Sequence, residues 1–123
     1  MEMKKRIIVV EDFNTSRQII KRTLEGMDYQ VDEAADGREA LKFFNGSRID
    51  LVITDYNMPF MDGAALVEYI RSKDAYKYIP ILVLSTETNV EKQKKAREAK
   101  ITGWIKKPFE ISDFRNQIQK ILT

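Results

Sequence analysis

The chain has 123 residues with no Cys and no His, a length that suits one domain with its own core and a composition that excludes disulfides, thiolate metal sites and imidazole chemistry. Lys and Arg number 21 against 19 Asp and Glu, a formal net charge of +2, so charge alone suggests no direct nucleic-acid binding. No apolar run approaches the ~20 residues of a membrane span, and the basic start MEMKKR leads into a strand-like run rather than a signal-peptide core. With no Cys to oxidise, a soluble cytoplasmic protein without membrane insertion is expected.

Short apolar runs alternate with longer helical patterns. RIIVV at 6–10 is rich in β-branched residues, and Asn14 or Thr15 follows as the cap of a helix carrying Ile19, Ile20, Leu24 and Met27, with Gly26 and Asp28 at its end. QVDEA at 30–34 alternates weakly, as an edge strand does, and Asp36 caps a short helix holding Ala40, Leu41 and Phe44 that stops at Asn45 and Gly46. DLVIT at 50–54 is the third strand, 63–73 a helix with Leu66, Val67 and Ile70 inward, and ILVLS at 81–85, introduced by Pro80, the fourth strand. A very polar helix covers roughly 89–100, GWIK at 103–106 is the fifth strand, and a last helix presents Phe114, Ile118, Ile121 and Leu122. There is no internal repeat or linker, so 1–123 reads as a single domain.

Such alternation implies an α/β fold, a parallel sheet covered by helices on both faces with right-handed crossovers. In open sheets of this kind the ligand crevice lies outside the carboxyl ends of the strands. Glu11 and Asp12 follow the first strand, Asp55 the third, Ser85 and Thr86 the fourth, Lys106 and Lys107 the fifth. Carboxylates crowded into one crevice repel each other, which favours a divalent cation or a raised pKa. Mg²⁺ suits them, because it takes oxygen ligands octahedrally and usually binds one or two carboxylates together with a phosphate. An Asp can also act as a nucleophile on phosphorus. Plainer readings stand beside these: Asp55 as a turn cap, Glu11 and Asp12 as partners of a helix N-terminus, and Lys107 as a solvated lysine. Asp62 and Gly63 read as a turn and helix start, and Met58 and Met61 as packing residues.

VVEDFNTSR, LVITDYNMPFMDG, ILVLSTE and GWIKKPF, in this order and spacing, resemble the receiver domain of two-component response regulators, above all the single-domain chemotaxis receivers of the CheY type. The resemblance covers essentially the whole chain, and four such motifs at the ends of four successive strands are far more specific than any one of them. It implies a doubly wound, flavodoxin-like five-stranded sheet of order 2-1-3-4-5. By the same resemblance Asp55 is the phosphoacceptor, and Mg²⁺ is held by Asp12, Asp55 and the Asn57 backbone carbonyl, with Glu11 assisting. Lys107 pairs with the phosphoryl oxygens, the Ser85 hydroxyl donates to one of them, and Asn57 with Glu87 tunes dephosphorylation toward a short-lived phosphoryl group. The chain departs from the commoner family pattern at three places. Glu11 stands for Asp, Ser85 for Thr, and Trp104 for the Tyr or Phe that changes rotamer on activation; a Trp simply packed on the sheet edge is the alternative to a switch there.

The resemblance further implies a sensor histidine kinase (CheA-like) as phosphoryl donor and a downstream protein target, such as the flagellar switch, for a monomeric signalling protein that is not a turnover enzyme. The polar helix, fifth strand and last helix would form the partner surface, carrying Lys92, Lys94, Lys95, Lys106 and Trp104, a basic face suited to an acidic, partly helical peptide. The ending KILT without a linker favours a complete small protein; a receiver module of a longer regulator or a phosphorelay intermediate is the alternative. A haloacid dehalogenase-type phosphatase would need Asp where Asn57 stands, and a flavodoxin would need a Gly-rich phosphate loop where the chain has EDFNTS.

Overall fold

β-branched and other apolar residues buried on both faces form the centre of a parallel sheet. The computed structural model describes residues 3–123, so Met1 and Glu2 of the basic start lie outside the described residues. The strands are β1 (Arg6–Val10), β2 (Gln30–Ala34), β3 (Leu51–Thr54), β4 (Ile81–Ser85) and β5 (Gly103–Lys106). Between and after them come α1 (Asn14–Gly26), α2 (Gly37–Ala40), α3 (Gly63–Arg71), α4 (Val90–Glu98) and α5 (Ile111–Leu122), with single 3₁₀ turns at Leu41–Phe43 and Asp74–Tyr76. All strand pairs are parallel and the order is β2-β1-β3-β4-β5, as the family resemblance implies.

The two-residue period of the strands divides the core in two. Ile7, Val9, Leu51, Ile53, Leu82 and Leu84 face Ile20 and Leu24 of α1 and Phe114 and Ile118 of α5. Ile8, Val10, Val52 and Ile81 face Ala40, Leu66, Val67 and Ile70 on the opposite side. With both faces covered, β1, β3 and β4 need no polar alternation, which is why they read as unbroken apolar runs. Met58 and Met61 are half-buried against the second cluster, in the packing role expected of them.

Several local expectations are corrected. Neither Asn14 nor Thr15 caps α1: Phe13 is the N-cap residue and offers no side-chain bond, while Asn14 is already helical and its Oδ1 accepts from Arg17 at 2.9 Å. Ile19 does not join the core and is 48% exposed. Asp50 precedes β3 instead of belonging to it, and its carboxylate accepts from the Arg6 backbone N–H at 2.7 Å. Helix α3 stops at Arg71, two residues short of 73, where the guanidinium is drawn onto the carbonyls of Tyr76, Ile79 and Lys100. Asp36, Asp62 and Asn89 do cap α2, α3 and α4, each accepting from the backbone N–H three residues on.

The edge strand β2 is tied to α1 by Glu33, whose carboxylate meets Lys21 at 2.7 Å, Arg17 at 3.0 Å and Gln18 at 2.9 Å. The Lys21 bond first and Arg17 second hold the Glu33 pKa below its ordinary 4.5. A carboxylate with a depressed folded-state pKa stabilises the fold above its unfolded pKa, and that contribution fades as pH falls below it. Glu33→Gln is therefore expected to be less stable than wild type by up to about 1 kcal/mol at neutral pH. The gap should close as chemical denaturation is repeated at pH values progressively below 4.5.

Candidate functional site

The sheet register carries the chemistry-bearing residues to one end. Backbone pairing runs one step past the strands: the Glu11 N–H donates to Ala34 O at 3.1 Å, the Asp55 N–H to Val10 O at 3.0 Å and the Lys107 N–H to Ser85 O at 3.0 Å. Each residue is thus fixed at a strand terminus, and because β1 and β3 are neighbours, Glu11, Asp12 and Asp55 converge. Their carboxylates each offer an oxygen within 4.8 Å of the others.

Lys107, one residue past β5, answers that charge. Its Nζ lies 2.9 Å from Glu11 Oε2 and 3.6 Å from Asp55 Oδ2, so Glu11 is its nearer partner. Glu11 is only 2% exposed. Burial, the largest influence, raises its pKa, the Lys107 bond pulls it back, and the Asp55 charge raises it again. Asp55 is half-buried with Oδ1 accepting from the Tyr56 N–H at 2.6 Å, which leaves Oδ2 toward Lys107. Asp12 is exposed at the rim. Ser85 is fully buried and its Oγ accepts from the Glu87 N–H at 3.1 Å.

This donor set fits a small hard cation. It consists of carboxylate oxygens alone, offers exposed Asp12 to an incoming ion, and carries three negative charges against one ammonium. Such crowding is unfavourable until a cation arrives. A phosphoryl group on Asp55 would find Ser85 at the end of the neighbouring strand β4 and Lys107 just past β5, one strand further on.

Above this floor the loops after β3 and β4 meet. Asn57 Nδ2 donates to Glu87 Oε1 at 3.1 Å, and Lys92 Nζ reaches the same oxygen at 2.9 Å and Asn57 Oδ1 at 3.3 Å. The Glu87 pKa is held down to about 2, by the Asn89 backbone N–H first and then by Lys92 and Asn57. Lys92, expected on the partner surface, is thus turned toward the site. Lys94, Lys95 and Lys106 are exposed as expected. Trp104 is half-buried, its ring 5.8 Å from that of Tyr56 and packed with Val83 and Ala96. Asn57 and Glu87 were expected to act together, but the place of Lys92 beside them escaped sequence reading because a lysine in a lysine-rich helix carries no distinguishing pattern. The available signal was its place at the third helical position after the Asn89 cap, from which side chains lean back toward the preceding loop.

Asp62 and Gly63 have the structural role expected. A Cβ on Gly63 would lie 2.7 Å from Asp55 O and 2.9 Å from Tyr56 Cα, both backbone, and the Gly63 N–H donates to Tyr56 O at 2.7 Å. The glycine therefore lets α3 start against the loop that holds Asp55.

The comparisons with known proteins agree with this geometry. Residues 7–119 match the family model described as the response regulator receiver domain. Chemotaxis protein CheY-3 of Vibrio cholerae is 35% identical over 117 residues, 94% of this chain and 90% of the relative. The solved structure of Vibrio cholerae CheY4 superposes with a TM-score of 0.90 at 38% identity, covering 98% of this chain and 100% of that one. The receiver domain of a Pseudomonas aeruginosa sensor histidine kinase, solved with a magnesium ion coordinated in its active-site cleft, superposes with a TM-score of 0.88 at 23% identity over 98% of both chains. At that identity the likeness speaks for the fold.

Two outcomes follow from the packing of the site. Asp12→Asn takes away the exposed carboxylate of the cluster; adding Mg²⁺ is expected to raise the melting temperature of wild type relative to chelator and to leave that of the variant nearly unchanged. Gly63→Ala forces a Cβ against backbone and should cost about 1–3 kcal/mol by denaturant titration, with backbone NMR shifts spreading to Asp55 and Tyr56.

Proposed function

The chain belongs to the receiver-domain family of response regulators and is of the CheY type, and from that premise we propose that it is a phosphorylation-activated two-component signalling protein that accepts one phosphoryl group on Asp55. The reading makes it a single-domain cytoplasmic monomer, a binding switch and not a turnover enzyme. The observation that supports it is the convergence of Glu11, Asp12 and Asp55 with Lys107 at the carboxyl end of the sheet.

With no His in the chain, the donor is external, a phosphohistidine on a CheA-like sensor histidine kinase. An Asp55 carboxylate oxygen attacks phosphorus; the P–O bond forms as the P–N bond breaks, and the leaving imidazole nitrogen keeps the electron pair and takes a proton from water. Asp12, Asp55 and the Asn57 carbonyl, with Glu11 assisting, would hold Mg²⁺, which would supply charge neutralisation for the phosphoryl oxygens. Lys107 exchanges its contact with Glu11 for a phosphoryl oxygen. The Ser85 hydroxyl gives up the Glu87 N–H and donates to another. Hydrolysis returns the carboxylate, with Asn57 and Glu87 beside the incoming water.

Switching follows as a population shift, because the phosphoryl group contacts Ser85 and Lys107 in one arrangement better than in the other. The movement of Ser85 is passed to the loop before α4, and Trp104 is packed on Tyr56 beside Asp55 and against Ala96 of α4. Lys94, Lys95, Lys106 and Trp104 would then meet an acidic segment of a downstream protein in chemotaxis, with the flagellar switch as the target.

Intact mass measured over time with acetyl phosphate tests the reading. A single phosphoryl adduct should form with Mg²⁺, fail to form in chelator and be absent from Asp55→Asn. An adduct that persists in Asp55→Asn would remove Asp55 from its role.

A further inference from the structure

Lys92 does not join the outward-facing lysines of its helix. Its ammonium, the Glu87 carboxylate and the Asn57 amide close a ring of three contacts, at 2.9, 3.3 and 3.1 Å. The ring joins two loops, one rooted on Asp55 and the other on Ser85. Asn57 and Lys92 are exposed while Asp55 is half-buried and Ser85 buried, so the ring forms the outer rim of the acidic pocket. Glu87 is fixed there from three sides. Its second oxygen accepts from the Thr88 and Asn89 N–H groups, both at 3.0 Å, and its own N–H donates to Ser85 Oγ at 3.1 Å.

A fixed carboxylate at that rim has an electrostatic consequence. The floor already holds three carboxylates against the ammonium of Lys107, and Lys107 is occupied by Glu11. A fourth carboxylate without a counter-charge would repel every phosphodonor, since all are anions. No other ammonium is recorded within ion-pair distance of Glu87 among the described residues.

We propose that Lys92 is a positioning residue of the phosphoryl-transfer site: by neutralising Glu87 and holding it against Asn57, it keeps the rim of the pocket passable to anionic phosphodonors. The inference rests on Asp55 being the phosphoacceptor. Its specificity consequence is that the smallest and most highly charged donors depend on Lys92 most, because their approach is governed by the field at the rim and not by docking contacts elsewhere.

The test is the rate of adduct formation from acetyl phosphate and Mg²⁺, by intact mass, in wild type, Lys92→Met, Lys92→Arg and the double variant Lys92→Met/Glu87→Gln. Lys92→Met is expected to slow uptake about three- to tenfold at low ionic strength. The deficit should shrink in salt of about 1 M, where the Debye length falls to about 3 Å. Lys92→Arg and the double variant should recover most of the rate. Independently of the chemistry, the Asn57 side-chain amide resonances should move in Lys92→Met and stay near their wild-type positions in Lys92→Arg. Equal rates in wild type and Lys92→Met overturn the proposal. So does a deficit that ignores salt and survives in the double variant, since loss of folded structure and not of charge would then be its cause. Failure of wild type itself to form an adduct strikes at Asp55 as acceptor, and this inference falls with it.

Discussion

The Lys107 ammonium, standing between the buried Glu11 carboxylate and Asp55, is the interaction on which the rest of the structure depends. Neither side of it is comfortable alone: Glu11 is desolvated with its pKa raised, and three clustered carboxylates repel one another. Buried ion pairs of this kind seldom add net stability, so their presence is better explained by what they can exchange for. Everything that assembles the pair comes from sheet topology. The adjacency of β1 and β3 brings the acids together, the pairing of β4 with β5 delivers Lys107 opposite them, and the two flanking hydrophobic layers fix the strand ends.

The strands were legible in the sequence because a parallel sheet buried on both faces leaves an unambiguous signature in β1, β3 and β4, and their ends pointed directly to Glu11, Asp55 and Ser85, as the end of β5 did to Lys107. What was not legible depended on competition between side chains. Asn14 is a good cap by propensity, yet Arg17 occupies its oxygen and the helix begins one residue earlier than a side-chain cap would have it. Arg71 ends α3 through bonds to carbonyls as distant as Lys100, which no local pattern encodes. Ile19 fits a helical stripe but lies beyond the arc that the sheet covers. Lys92 belongs to the same class, since its role is set by an asparagine 35 residues away.

The two loops that frame the pocket differ in how they are held. The loop after β3 is pinned by backbone against backbone, with Gly63 in direct contact with the Asp55 and Tyr56 main chain. The loop after β4 is held by side chains, chiefly the Glu87 carboxylate accepting from the Asn89 N–H, Asn89 Oδ1 accepting from the Lys92 N–H, and the Gln93 amide donating to Glu87 O. Side-chain contacts at a surface can be exchanged at low cost, whereas a close backbone approach resists displacement. Asp55 is therefore carried on the stiff side of the pocket and Glu87 on the compliant one, the arrangement that the proposed switch needs if its reactive atom is to stay in register while its output moves.

One tryptophan is present in the chain, and its ring stands 5.8 Å from Tyr56, tilted by 34°, with Tyr56 bonded directly to Asp55. Indole emission is sensitive to nearby polar groups and to the departure of a packed neighbour, and here there is a single emitter to interpret. The protein thus carries an intrinsic optical reporter one residue removed from its acidic pocket. Any event at the pocket that disturbs the packing of Trp104 on Tyr56 can be followed by unlabelled fluorescence, in real time and at micromolar concentration, without a reporter group disturbing the surfaces involved.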